Sequence, residues 1–380
     1  MNTASTATAA VTAAVTGAVE TAAVTTAPAP HPALLAPGIL RIVAGTTVAR
    51  GATAAVAGGR DVTADDPRAL RAALASELYR RHHMGRTDEE PAAPRELRDT
   101  ALEARLLDAM PHRRLTRVVE QAGEGDDRHV PVVLDGVRVL MDRERVDTTR
   151  IRTDGRLRVH LDAARPAVSP GFFLCEGTVP ARGRSTGTLR VYLHVTGPDA
   201  APAVWSAVLG LLEAEQLPYR AKIASSRNGY PRQDACVVYL GAESWGAAEL
   251  LADTARGLPG LGGTVSDFVR ELAPGVGAAW EPADDRPGMR RVSFGEHRAA
   301  AVASGLVAHA EDPTARSLHQ AVHDSLRDAG IDPADPAHNA TSPRSVLPPP
   351  ATAAGHARPY DDAAPPLLTG LPQPFAAAGR

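Results

Sequence analysis

Large apolar residues recur at three- and four-residue spacing in two stretches near the start of the foldable part of the chain. Ala69, Leu70, Ala73, Leu74, Leu78 and Tyr79 share one helical face behind Asp65 and Asp66, either of which can cap it, and Gly85 can close it. Leu97, Leu102, Leu106 and Leu107 predict a second helix over 95–110. The period then changes from helical to alternating. Residues 130–134 and 137–141 flank Asp135-Gly136, a two-residue hairpin signal, and 156–161 alternates as a further strand. Downstream the pattern predicts strands over 188–196, 219–224, 234–240 and 291–294. Helices are predicted over 203–217, 245–254, 264–272, 295–309 and 315–329. Strands occurring both in hairpins and around helices predict an α+β fold, in which N-terminal helices precede a mostly antiparallel sheet with packed helices.

Composition bounds this picture at both ends. The first 60 residues are mainly Ala, Thr, Val, Gly and Pro, and 333–380 is rich in Pro, Ala, Ser and Gly. Such segments bury too little apolar surface to offset the entropy of ordering a backbone, so both are expected to be disordered tails. Between them the pattern suggests a helical and hairpin subdomain over 61–165 and an α+β catalytic subdomain over 166–332.

A formal charge of −3 and a pI near 6.5 give no nucleic-acid footprint over the chain. No apolar run is long enough to span a membrane, and no basic residue precedes the small residues at the N-terminus as a secretory signal would require. The reading is a cytoplasmic protein. Cys175 and Cys236 are too few for a disulfide framework or a structural zinc site and read as small buried apolar residues.

The chemistry concentrates between residues 190 and 234. In the strand over 188–196 the odd positions are Leu189, Val191, Leu193 and Val195, while the even ones are Arg190, Tyr192 and His194. One face belongs to a core, and the other presents a guanidinium, a phenol and an imidazole together. Arg220 and Lys222 share a face of the next strand. Arg232 and Asp234 are in phase on the third, with Cys236 in the same phase. Arg182 and Arg184 lie just upstream. An ordinary sheet with one wet face would also alternate, but such a face usually mixes charge signs. This one is cationic with a single acid, and it suits a phosphate dianion, which arginine grips in bidentate fashion.

Four further features stay open at this level. His297 and Arg298 begin a helix, where backbone N–H groups favour anions, and either complete the phosphate site or are ordinary surface and cap residues. Phe172, Phe173 and Leu174 read as core rather than a peptide groove. His82 and His83 are adjacent, so they diverge on a helix; with no third ligand following, they read as surface residues. Asp234 is placed to orient Arg232 or Lys222.

Six segments then occur in a familiar order. They are Leu78-Tyr79 with His82 and Gly85, Ser169-Pro170-Gly171-Phe172-Phe173, Arg190-Val191-Tyr192-Leu193-His194, Tyr219-Arg220-Ala221-Lys222, Tyr230-Pro231-Arg232-Gln233-Asp234-Ala235 and Ser293-Phe294-Gly295-Glu296-His297-Arg298. Over residues 64–327 the chain resembles the Hop-type effector-like proteins of actinobacteria, the lyase component of class V lanthipeptide and thioamitide pathways. That resemblance implies a phosphoserine/phosphothreonine lyase acting on a precursor peptide phosphorylated by a separate kinase, to leave dehydroalanine or dehydrobutyrine. A more distant similarity to the OspF/SpvC phosphothreonine lyases implies Lys222 as base and His194 as acid. Of the phosphate-binding residues that similarity reaches only Arg232; the chemistry of elimination itself adds Arg190, Arg220 and Tyr192 on the phosphate and Asp234 orienting Arg232 or Lys222, and it requires no metal or other cofactor. Expected partners are the phosphorylated precursor peptide and its kinase, with neither nucleic acid nor membrane. The alternatives are a non-catalytic domain that presents a phosphopeptide or precursor to a kinase, or an effector acting on host phosphoproteins. A kinase ranks last, since the sequence has no Gly-rich loop and no His-Arg-Asp or Asp-Phe-Gly set.

Overall fold

The computed structural model describes residues 34–87, 98–147, 156–181, 187–290 and 292–348. Its first elements lie inside the expected N-terminal tail. Helix α1 (Pro37–Ala44) buries Ile39, Ile42 and Val43, and strands β1 (Thr46–Val48), β2 (Ala54–Ala57) and β3 (Arg60–Thr63) form a three-stranded sheet behind it. The sequence reading missed them because only one short stretch carries large apolar residues. Alanines such as Ala52, Ala55 and Ala57 fill the rest of this layer, all nearly inaccessible. Helix α2 (Pro67–Leu78) is capped by Asp66, whose side chain accepts the Ala69 amide, and it buries Leu70, Leu74 and Leu78 as the spacing predicts.

Helix α3 (Thr100–Asp108) covers the C-terminal part of the second expected helix; residues 95–97 lie outside the described residues. Five strands follow: β4 (Arg114–Gln121), β5 (His129–Leu134), β6 (Val137–Asp142), β7 (Val146–Asp147) and β8 (Arg156–Asp162). They make a sheet in the order β6-β5-β4-β8-β7. Asp135 and Gly136 both take positive φ at the β5–β6 turn, the geometry the Asp-Gly pair implies. Val119, Val130, Val132, Met141, Val146, Leu157 and Val159 close a small core of their own on this sheet.

The seven-stranded sheet holds most of the chemistry. Its strands are β9 (Ala164–Ser169), β10 (Phe172–Glu176), β11 (Leu189–Val195), β12 (Tyr219–Ala224), β13 (Arg232–Leu240), β14 (Arg270–Ala273) and β15 (Val276–Trp280), in the order β14-β15-β11-β13-β12-β10-β9. Helices α4 (Ala201–Ala214) and α5 (Ala247–Ala255) supply Trp205, Leu209, Leu212 and Leu251 to the main core, with Trp205 edge-on to Phe173. Helices α6 (Phe294–Glu311) and α7 (Leu318–Asp328) pack together beside α2. Every strand pairing among the described residues is antiparallel, and the fold is α+β. Among the described residues no helix is long and apolar enough to cross a membrane.

Three further expectations change. Residues 264–269 are not helical: the Ser266 hydroxyl accepts the Phe268 amide and the Asp267 amide donates to the His82 carbonyl. Such local bonds offer the backbone an alternative to a helix. Residues 292 and 293 lead directly into α6 rather than forming a strand, because Ser293 and Glu296 make a reciprocal capping box. Within the expected C-terminal tail, Asn339 bridges back to Ile331, and Ala337, His338 and Asn339 are buried. Residues 1–33 and 349–380 of the expected tails, with Arg182 and Arg184, lie outside the described residues.

Candidate functional site

Strand register places the predicted side chains. Tyr192 of β11 pairs with Val237 of β13, which pairs with Lys222 of β12, so Tyr192 and Lys222 emerge on the same face. One step along, Arg190 pairs with Tyr239 and Tyr239 with Arg220. The opposite face carries Leu189, Val191, Leu193, Ala221 and Ile223 into the core, as the alternation predicts. Cys236 pairs with Leu193 and Ile223 and lies on that apolar face. A bulge between Leu193 and Val195 shifts the phase of β13, so Cys236 does not share the face of Arg232 and Asp234. Both cysteines are buried thiols.

The Lys222 ammonium lies 4.0 Å from the centre of the Phe172 ring, and no ion pair is found for it among the described residues. Burial, helped by the cations Arg190 and Arg232, holds it down at about 8 against the opposing pull of Asp234 and Glu281. Two paired arginines flank it. Arg232 grips Asp234 through two bonds of 2.7 and 2.8 Å and donates to the Tyr79 hydroxyl at 3.2 Å. Arg190 makes a two-pronged pair with Glu281. Burial pushes the Asp234 carboxyl up, but Arg232, His83 and Lys222 overcome it and hold the group well below the usual carboxylate range. Arg220 is exposed at the rim, and no ion pair is found for it among the described residues.

The lid over this face comes from residues that sequence reasoning undervalued. Five residues of π-helix, Tyr79–His83, continue α2 and turn Tyr79 and His83 toward the sheet. His83 is 3 % exposed, which overturns its reading as a surface residue. Its Nε2 lies 3.6 Å from Asp234, its Nδ1 contacts Ser266 Oγ at 3.0 Å, and its ring stands edge-on to Tyr192. Burial lowers His83 to about 4, so the imidazole is neutral at pH 7. Burial also pushes the Tyr79 hydroxyl up to about 12. His82 points elsewhere and pairs with Asp267 at 2.7 Å. The signal that could have found His83 is its four-residue spacing from Tyr79, since both follow the buried face of α2. Phe173 is core as expected, but Phe172 forms the floor beneath Lys222 and Arg232.

The remaining predicted residues separate from this cluster. His194 follows Tyr192 on the same face, about 7 Å along the strand and two strand spacings, about 10 Å, across from Lys222. Its Nδ1 meets the Thr264 carbonyl oxygen at 3.0 Å, and burial lowers its pKa. The Tyr192 hydroxyl is buried beside the Arg190 guanidinium. His297 and Arg298 are neither surface residues nor part of an open anion site. His297 bonds Asp284 at 2.8 Å, and Arg298 is inaccessible, donating to the Pro336 carbonyl and to Asn339 Oδ1 at 3.0 and 2.7 Å. Among the described residues no group of three or more His, Cys, Asp or Glu side chains is arranged to hold a metal.

A cationic face beneath this lid, with a lysine whose charge is weakened between two anchored arginines, can bind a dianion and remove a proton beside it. Two solved structures are similar in outline, effector proteins from Pseudomonas syringae pv. tomato strain DC3000 and from Pseudomonas syringae pv. syringae strain 61. The first has 16% identity and a TM-score of 0.41 over 69% of this chain and 88% of its own. The second has 14% identity and a TM-score of 0.40 over 70% and 88%. No curated protein matches the sequence. Residues 163–338, which include the whole cationic face, match the model of the HopA1 effector protein family.

Proposed function

We propose that the protein is a phosphoserine/phosphothreonine lyase that eliminates phosphate from a peptide phosphorylated by a separate kinase. The observation that carries this reading is the half-buried Lys222, which has no ion-paired carboxylate among the described residues and is held at about 8 between Arg190–Glu281 and Arg232–Asp234. A lysine tied into an ion pair would be a poor base, and one in open water would be protonated at pH 7.

In the proposed reaction the Lys222 lone pair takes the α-proton of the phosphorylated residue. The Cα–H electrons form the Cα–Cβ double bond, the Cβ–O bond breaks, and its electron pair leaves on the phosphate. Arg232 and Arg190 face the phosphate oxygens and balance the charge as it departs, while the Tyr192 hydroxyl can donate a hydrogen bond to it. An imidazole protonates the leaving phosphate. His194 lies on the open part of the same face, and His83 lies within reach of Asp234. A bound dianion favours the imidazolium of either. Asp234 keeps Arg232 in position, and no step calls for a metal or cofactor.

A phosphothreonine peptide incubated with the protein tests this by mass spectrometry, with Lys222→Ala, His194→Ala and His83→Asn alongside. Loss of phosphoric acid by the wild type and not by Lys222→Ala supports elimination, and the two histidine variants separate the candidate acids. A phosphopeptide left intact even with its kinase present sinks the reading. The family match favours a second setting for the same chemistry, in which the substrate is a host phosphoprotein and the protein acts as an effector.

A further inference from the structure

The register that unites Lys222 with Tyr192 continues in the other direction. Leu174 of β10 pairs with Lys222 on one side and with Arg165 of β9 on the other, so Arg165 emerges on the same face. In the neighbouring row Glu176 pairs with Arg220. The Glu176 carboxylate is 2.8 Å from Arg165 and 3.9 Å from Arg117 of β4. Two guanidiniums thus reach a single acid, and a third cation, Arg220, stands opposite it on the neighbouring strand. Arg117 directs its donors to the carbonyls of Gly177 and Thr178, but Arg220 is exposed and Arg165 retains about a third of its accessible surface.

Such an arrangement adds little to stability. A partly exposed pair is worth about 0–1 kcal/mol, and a third cation beside it is repelled. Its surplus of positive charge suits an anion from outside. Arg165 stands two strand spacings, about 10 Å, from Lys222. An extended peptide advances about 3.1–3.4 Å per residue, so two to four residues span that gap.

We propose that Arg165 and Arg220 form a second anion subsite, which selects peptides carrying an acidic side chain two to four positions from the phosphorylated residue. This rests on the phosphopeptide reading of the Lys222 site. The anion is a glutamate or aspartate carboxylate or a second phosphate, and both meet a guanidinium through the same paired hydrogen bonds.

The test uses fluorescent peptides containing α-methylphosphoserine, which has no α-proton and so cannot be eliminated. One set carries a single Glu two, three or four residues to either side, a second carries phosphoserine there, and a third carries Gln. Binding is followed by anisotropy with the wild type, Arg165→Gln and Arg165→Lys, each checked for an unchanged melting temperature. The wild type is expected to bind an acidic peptide of one spacing roughly fivefold more tightly than its Gln counterpart. Arg165→Gln should bring that ratio near one, and Arg165→Lys should restore part of it. The Glu and phosphoserine sets show which anion is preferred. Equal affinity for all sets, or a preference that survives Arg165→Gln, overturns the subsite even if ordinary phosphopeptides lose phosphate. An acidic preference that depends on Arg165, with no phosphate loss from ordinary phosphopeptides, keeps the subsite and removes the lyase. No binding by any peptide overturns both.

Discussion

Two clusters of buried ionisable groups meet at Glu281 and differ in how completely they satisfy themselves. On the sheet face, Arg190 and Arg232 are each tied to one carboxylate, while Lys222, exposed Arg220 and the Tyr192 hydroxyl are left without such partners among the described residues. Under α6, Arg298 has its guanidinium engaged by Pro336, Asn339 and His297, and Arg270 pairs with Asp335. Asn339 also donates to the Glu281 carbonyl, so the closed cluster steadies the backbone whose side chain anchors Arg190. Burial of charge is common to both. What separates a candidate site from a strut is donors that the chain itself does not use.

The sharpest way to break this contrast is to remove one cation from each cluster. Lys222→Ala should lower the rate of phosphate loss by about 10³-fold or more, with a melting temperature close to that of the wild type, because it leaves no buried partner charge unpaired. At saturating substrate, where the bound dianion keeps the acid imidazole charged, the wild-type rate should rise about tenfold per pH unit until Lys222 has given up its proton and then level off. A flat profile from pH 6 to 9 would remove Lys222 as the base. Arg298→Ala should act in the opposite way, costing about 3–5 kcal/mol of stability in urea titration by leaving the buried acceptors of Pro336 and Asn339 unfilled. An Arg298→Ala protein as stable as the wild type would show that the α6 cluster is not a strut.

A smaller effect comes from pH acting on stability. His83 has its pKa lowered to about 4 in the fold, against about 6.5 in an unfolded chain. Between those values the unfolded state binds the extra proton, so stability is present above about pH 6.5 and is lost as pH falls toward 4. The contribution is about 3 kcal/mol at most. His83→Asn should flatten this part of the stability profile. The loss below the ordinary carboxylate range, where Asp234 and Asp284 take up protons, should remain.

Much of this was legible in the sequence where one strand or helix decides the outcome. The alternation of β11 and β12 set Arg190, Tyr192, Arg220 and Lys222 on one face, and the α2 spacing set its buried side. It failed where a backbone irregularity or a distant segment intervenes. The bulge in β13 turned Cys236 away from Asp234, and a π-helical turn after Leu78 carried His83 inward. No local pattern announces that Arg298 will meet a chain segment some forty residues later, or that Arg165 will stand in the same row as Lys222. Alanine-rich layers such as β2 escaped because small residues bury little area each, and only their close approach makes them a core.

The segment 293–298 shows how a short motif can serve both clusters at once. Ser293 and Glu296 cap α6, Phe294 packs against Tyr192 and His83 on one side and beneath Arg298 on the other, and His297 and Arg298 hold the C-terminal segment. Gly295 is small for a different reason. A Cβ there would lie 2.1 Å from the His83 ring, closer than any side chain tolerates. Gly295→Ala should therefore push the imidazole off Asp234 while leaving the α6 cluster intact, at a stability cost of about 1–3 kcal/mol from overpacking, offset in part by the better helix propensity of alanine. The informative reading is relative: a loss of phosphate elimination matching that of His83→Asn, with stability above that of Arg298→Ala, would place His83 in the open cluster. Full activity with a displaced ring would leave His194 as the only imidazole fit to serve the leaving phosphate.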